Sequence, residues 1–245
     1  MQNPTTIALS RVVAQQRLID ITANNIANSG TAGYKAERMM FGDWLSRQTH
    51  TAAPRGGQSI TYTEDKAVYR DNREGALSRT NNPLDLAIKG DGYFTVNTAN
   101  GPRLTRGGHF SLNATGNIVD AEGNPLLDNG GQPLQLSPTD ATITVAGDGT
   151  MSSENGQIGQ IGIVTPNDPT ALLAEGNQLF RSTGVTSPVA APAVIQGMIE
   201  QSNVQPVLEL TAMMDQSREF EFATQFIQEK DNRQMNAIDK IMTPV

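Results

Sequence analysis

The last forty-odd residues constrain this chain most. From Asn203 to Met242 the sequence runs NVQPVLELTAMMDQSREFEFATQFIQEKDNRQMNAIDKIM, with Pro206 near its start and no helix breaker after it. Met213, Phe220, Ile227 and Ile241 share one seven-residue phase interrupted by Gln234, and Ala223 and Ala237 fall three residues after members of it. That is the rhythm of a helix lying along another helix. Phe222 and Phe226 add a second ridge, and Leu210 lies one turn before Met213–Met214, so the helix is apolar on more than one side. A helix with this much apolar surface is not stable alone in water and needs partners.

The mate predicted for it lies at the other end of the chain. Residues 5–28 read as a helix with Pro4 in its first turn. Val12, Ile19 and Ile26 are seven apart, Ala8, Gln15 and Thr22 fill the intermediate positions, and Leu9, Val13 and Ala23 widen the stripe. Asn24, Asn25 and Asn28 then break a local rule, because each Asn costs a helix interior roughly 0.5 kcal/mol relative to Ala. Two readings fit. One is a fraying C-terminus stopped by Gly30 and Gly33; in the other, the amides hydrogen-bond across a helix–helix contact.

Between the ends the character changes twice. Residues 31–75 carry Tyr34, Phe41 and the sole Trp, Trp44, and then become polar and poorly periodic, which predicts an extended arm with one hairpin around Ser59–Tyr62 and Ala67–Arg70. From Leu84 to Thr183 the hydrophobic period drops toward two. Short strand candidates alternate with Asp91-Gly92, Asn100-Gly101, Thr115-Gly116, Glu122-Gly123 and Asp148-Gly149, pairs suited to tight hairpins. Pro and Ala dominate the stretch before the final helix. The expected class is therefore α+β. Residues 1–30 and 200–245 form a coiled-coil-like helical core, 31–75 an arm, 76–185 an antiparallel sandwich or open barrel, and 186–199 a linker. A β domain that brings the ends together removes the cost of closing a loop of about 180 residues, on the order of 4–5 kcal/mol.

Composition narrows the function. With 18 basic and 25 acidic residues the net charge is -7, which gives no cationic footprint for nucleic acid. The absence of cysteine excludes disulfides, thiolate metal sites and a thiol nucleophile. No run is long and apolar enough for a membrane span, and the N-terminus lacks the pattern of a cleaved signal peptide. His50 and His109 stand apart from carboxylate clusters, and no phosphate-binding loop or nucleophile elbow is present. Asp120–Asn124 and Asp128–Gly130 lack the spacing and closing Glu of a calcium loop. No catalytic residue, metal or cofactor is expected. A hydrolase acting on cell-wall polymer would need paired carboxylates, which Asp85, Asp91 and Asp120 do not offer by sequence.

Four runs resemble one family. They are Ala23-Asn24-Asn25-Ile26-Ala27-Asn28 with Gly33-Tyr34-Lys35; Asn82-Pro83-Leu84-Asp85-Leu86-Ala87-Ile88 with Gly90-Asp91-Gly92-Tyr93-Phe94; Leu104-Thr105-Arg106-Gly107-Gly108-His109-Phe110; and Glu200-Gln201-Ser202-Asn203-Val204 with Glu209-Leu210 and Met213-Met214. In this order they are similar to the bacterial flagellar rod and hook proteins, and most like the proximal-rod kind. The resemblance implies an axial structural protein that stacks helically with copies of itself and with other rod proteins. It would transmit torque and enclose a channel in a periplasm-spanning rod of the basal body. It would leave the cell through the flagellar export apparatus without a cleaved leader. A distal-rod or hook-type member is the alternative within the family; a secreted β-domain adhesin on a coiled-coil stem is the alternative outside it. The assembly interface expected on this reading comprises Val12, Ile19, Asn24, Asn25, Ile26, Asn28, Leu210, Met213, Phe220 and Ile227. The terminal helices are expected to be loosely ordered in the monomer and to order on assembly.

Overall fold

Pro206 opens the longest element of the protein, α2 (Pro206–Met242), and the earlier helix α1 (Asn3–Ala27) lies against it in the computed structural model. The structure describes residues 3–47, 59–137, 140, 142–168 and 171–242. Proline suits the first turn of α2 because its missing N–H is one that no helix start can satisfy, and Glu209 in that turn complements the positive end of the helix dipole. The N-terminal helix stops at Ala27, where Asn28, Ser29 and Gly30 turn the chain.

The two helices form one unit with a long hairpin, β1 (Glu37–Arg47) and β2 (Ser59–Arg70). The strands pair antiparallel from Glu37↔Arg70 to Arg47↔Ser59, with a bulge between Met40 and Phe41. This corrects the hairpin expected within 59–70. Thr63–Lys66 runs straight through as strand, because Glu37–Arg47 supplies backbone partners on both sides of the bulge at Lys66. The side chains of Phe41, Trp44 and Ile241 lie outside the described ones, and His50 outside the described residues.

The second unit comprises 28–36 and 72–204 and is all β. In chain order its strands are β3 (Leu77–Arg79), β4 (Leu86–Lys89), β5 (Tyr93–Thr98), β6 (Gly101–Thr105), β7 (Ser111–Leu112), β8 (Ile118–Val119), β9 (Ile143–Val145), β10 (Thr150–Ser153) and β11 (Gly156–Gln160). Then come β12 (Ile163–Pro166), β13 (Leu172–Gly176), β14 (Leu179–Ser182), β15 (Thr186–Pro188), β16 (Ala193–Gln196) and β17 (Met198–Glu200). A six-stranded antiparallel sheet in the order β13-β14-β6-β5-β12-β15 is its largest piece; β9, β10 and β11 form another, and β4–β16 and β3–β17 are paired ribbons. The glycines of the five X-Gly turns, Gly92, Gly101, Gly116, Gly123 and Gly149, all have positive φ.

Alternation along β5 divides the packing. Phe94 and Val96 enter the main core with Leu86, Ile118, Leu126 and Met151, and the Phe94 ring meets Phe110 edge-on at 5.3 Å. Tyr93, on the opposite face, packs with Leu104, Leu172 and Phe180.

The stretch 186–199, expected as a linker, instead contains β15, β16 and β17. Its Pro and Ala residues do not prevent pairing, because β15 is an edge strand that ends on Pro188. The connecting pieces 28–36 and 200–204 also belong to the β unit rather than to the helical one.

Candidate assembly interface

The contact between α1 and α2 includes polar bonds between side chains. Gln15 Nε2 donates to Glu219 Oε2 at 2.9 Å, and Thr22 Oγ1 to Gln216 Oε1 at 3.0 Å. As the position rises along α1 it falls along α2, so the helices run antiparallel. Gln15, Thr22 and Ala14 are buried, whereas Val12, Ile19 and Ile26 on α1 and Met213, Phe220 and Ile227 on α2 are half-buried. Directional polar contacts in such a seam favour one register over others more than they add strength.

Beyond this seam α2 carries further large apolar side chains that are exposed. At about 100° per residue, Val207, Leu210 and Met214 lie roughly opposite the seam residues Gln216 and Glu219, whereas Phe222 and Phe226 flank the seam. Phe222 is 74% exposed and Phe226 51%, and Val207, Leu208, Leu210 and Met214 are exposed as well. Leu9 and Val13 on α1 are also exposed. Large apolar side chains exposed together on a helix mark an interaction surface.

The asparagines separate into different roles. Asn25 is 0% exposed, and its amide makes two bonds to one residue: Nδ2 donates to Glu37 O and Oδ1 accepts from Glu37 N, both at 2.9 Å. The side chain thereby imitates a neighbouring strand at the root of β1. Both ends of the amide are engaged inside the chain. Asn24 is exposed, and the Asn28 carbonyl accepts from Thr31 N in the turn after α1. Arg38 Nη2 reaches Glu209 Oε1 at 2.6 Å, which ties the next residue of β1 to the first turn of α2.

The sequence reading did not assign a role to a buried ionic cluster in the β unit. The Glu200 carboxylate accepts from Lys35 Nζ at 2.6 Å, Arg106 Nε at 2.5 Å and Gly75 N at 2.9 Å. The three charged side chains are 2–5% exposed. Arg106 also donates to the carbonyls of Ile88, Gly90 and Gly92, and Lys35 to that of Arg73. Burial by itself would push the Glu200 carboxyl up; the bonds from Lys35, Arg106 and Gly75 outweigh it and hold the group below the usual carboxylate range. Lys35 and Arg106 also line a 260 Å³ cleft with Asn72, Asp91, Tyr93 and Asn167. The signal available in the sequence was that Lys35, Arg106 and Glu200 each fall in one of the family-like runs, Gly33-Tyr34-Lys35, Leu104–Phe110 and Glu200–Val204.

Elsewhere the polar groups make turns and surface pairs. The Asp120 and Asp128 carboxylates accept from backbone N–H groups two and four residues ahead. His109 Nδ1 lies 2.7 Å from Asp85 Oδ1 on an exposed ring. Among the described residues there is no group of three or more His, Cys, Asp or Glu that could hold a metal ion, and no helix is long and apolar enough to cross a membrane.

A helix pair with large apolar side chains uncovered, joined to a β unit that holds a buried ionic cluster, has the features of an assembling protein. Family models match along the chain: "Flagella basal body rod protein" over residues 6–35, "Flagellar hook protein FlgE/F/G D1 domain" over 87–166 and "Flagellar basal body rod FlgEFG protein C-terminal" over 195–239. The chain is 34% identical over 243 residues to the flagellar basal-body rod protein FlgF of Caulobacter vibrioides, covering 98% of each. It is 34% identical to the basal-body rod protein FlgG of Bacillus subtilis, covering 88% of this chain and 90% of the relative. To FlgF of Salmonella typhimurium it is 30% identical, over 94% of this chain and 93% of the relative. The chain belongs to the flagellar basal-body rod protein family.

Proposed function

We propose that this chain is an axial subunit of the proximal rod of the flagellar basal body. In this reading α1 and α2 pair as a coiled-coil-like core and nest among the helices of copies and of other rod proteins, and together they enclose the export channel. The β unit and the hairpin form the outer part and bridge neighbours. The subunit leaves the cytoplasm through the flagellar export apparatus without leader cleavage, becomes part of the rod across the periplasm, and transmits torque without catalysing a reaction. Stiffness follows from close packing, because protein interiors are barely compressible. Val12, Ile19, Asn24, Ile26, Asn28, Leu210, Met213, Phe220 and Ile227 belong to the helical core and its contacts.

The observation that carries this reading is the set of large apolar side chains that α2 leaves uncovered, Val207, Leu210, Met214, Phe222 and Phe226, beyond those half-buried in its seam with α1. Uncovered side chains of that kind suit a helix surrounded on several sides. The chain has no cysteine, so a single Leu210→Cys or Phe222→Cys variant carries one reporter thiol. Maleimide should label it readily in the purified monomer and fail to label it in isolated basal bodies. Equal labelling in both states, or basal bodies that lack the chain, would refute the proposal.

A further inference from the structure

We infer that the Glu200 cluster is the joint through which torsional load enters the β unit, an inference that rests on the rod reading above. The chain crosses between its two units after residues 27, 36, 71 and 204. Every crossing is made by one of three β-unit segments, 28–36, the residues just after Asp71, and the residues leading to Val204. All three converge on Glu200. Lys35 brings in the first through its bond to the carboxylate, and Gly33 N donates to Glu200 O at 2.7 Å. Gly75 N brings in the second, and Lys35 also grips the Arg73 carbonyl at 2.8 Å. The third contains Glu200 itself and Asn203, whose Oδ1 accepts from Ala36 N at 2.8 Å and whose Nδ2 donates to Arg73 O at 3.0 Å. Arg106 then anchors the carboxylate to the sheet by bonding the backbone of residues 88–92.

The segments involved explain why a joint is needed. Residues 28–36 and 201–205 contain no strand or helix, and single backbone bonds such as Gly33 N to Glu200 O, Gln201 N to Ala76 O and Asn203 N to Tyr34 O join them to their neighbours. Twisting such loops would be easy unless something fixed their separation and rotation. Charge-assisted bonds from two side chains fixed by their own carbonyl contacts do this directionally. The backbones are also held close. A Cβ on Gly75 would come within 1.8 Å of Gln201 O, and one on Gly33 within 2.5 Å of the Arg106 carbonyl.

The test uses the full chain in the bacterium that makes it. Glu200→Gln keeps the shape and one acceptor but removes the charge that Lys35 and Arg106 face. The expected result is basal bodies in normal number and normal swimming in dilute medium. In medium of high viscosity, flagella should be shed, or rotation under large bead loads lost, several-fold more often than in the parent. Lys35→Met, which leaves the Arg106 pair in place, should fall between the two. Glu175→Gln breaks the Arg103–Glu175–Arg181 pairs of the same unit, which no crossing segment touches, and should behave as the parent. In purified Glu200→Gln chain the amides of Gly33, Gly75 and Asn203 should exchange about ten-fold faster or more, while those of Phe94 and Val96 stay protected.

Parent-like behaviour of Glu200→Gln under load would overturn the inference and leave the rod reading intact. So would loss of protection at Phe94 and Val96, which would make the cluster part of the core, and so would a folded variant that never assembles. Parent basal bodies without the chain would instead overturn the rod reading.

Discussion

Removing the two exposed phenylalanines of α2 tests the assembly argument quantitatively. A Phe side chain carries about 200 Å² of surface. At 74% and 51% exposure, Phe222 and Phe226 leave roughly 250 Å² to be covered by neighbours, which at about 25 cal/mol per Å² is worth ~6 kcal/mol per subunit if burial in the rod is complete. Alanine retains about a third of that surface, so Phe222→Ala/Phe226→Ala should lose ~4 kcal/mol of association, close to a thousand-fold in the concentration needed to assemble. The monomer has little to lose, because truncating exposed side chains shifts stability by about 0.5 kcal/mol or less. The urea midpoint of the β unit should therefore stay put while basal bodies fail to form and soft-agar motility disappears. Leu at both positions keeps most of the apolar area and should restore motility. Normal basal-body counts in the double alanine variant would show that this face is not covered and that the area argument is wrong.

Three further outcomes follow from other parts of the structure. Asn25→Leu strips both partners from the backbone of Glu37 at a cost of ~2–4 kcal/mol, and should reduce the number of basal bodies counted per cell; an unchanged count would remove Asn25 from any role in placing the hairpin. In the purified monomer, amides of α1 and α2 should exchange quickly and those of β4, β5 and β6 slowly, because the helices leave apolar faces uncovered and meet each other through Gln15, Thr22, Gln216 and Glu219; equal protection throughout would show that the helix pair is self-sufficient. The carboxyl of Glu200 is held below its usual range, so its contribution to stability is present above that range and lost as pH falls through the lowered native value; acid melts below about pH 4 should drop more steeply for the parent than for Glu200→Gln, and superimposable curves would contradict the assignment.

Periodicity and turn chemistry are local properties, and they were readable in the sequence. The seven-residue phase of Met213, Phe220 and Ile227 identifies a helix because those side chains must share one side of it whatever surrounds them, and that helix is α2. The X-Gly pairs identify hairpin turns because few other residues accept positive φ, and all five glycines adopt it. The four ordered runs of residues were enough to point to the family.

What the tertiary structure decided depends on which distant groups meet. Thr63–Lys66 carries turn-like polar residues, yet it stays extended because a strand more than fifteen residues earlier offers it partners. Residues 186–199 have the composition of a linker but carry β15, β16 and most of β17, each needing an edge that the sequence alone does not reveal. Asn25 could have faced another subunit; it bonds the backbone of Glu37 because the chain doubles back there. Lys35, Arg106 and Glu200 are separated by 71 and 94 positions, and their value lies in being buried together. Local patterns determine which elements form, because they depend on neighbours a few residues away. The partner of a buried charge or an open strand edge is a long-range fact, and only the folded chain supplies it.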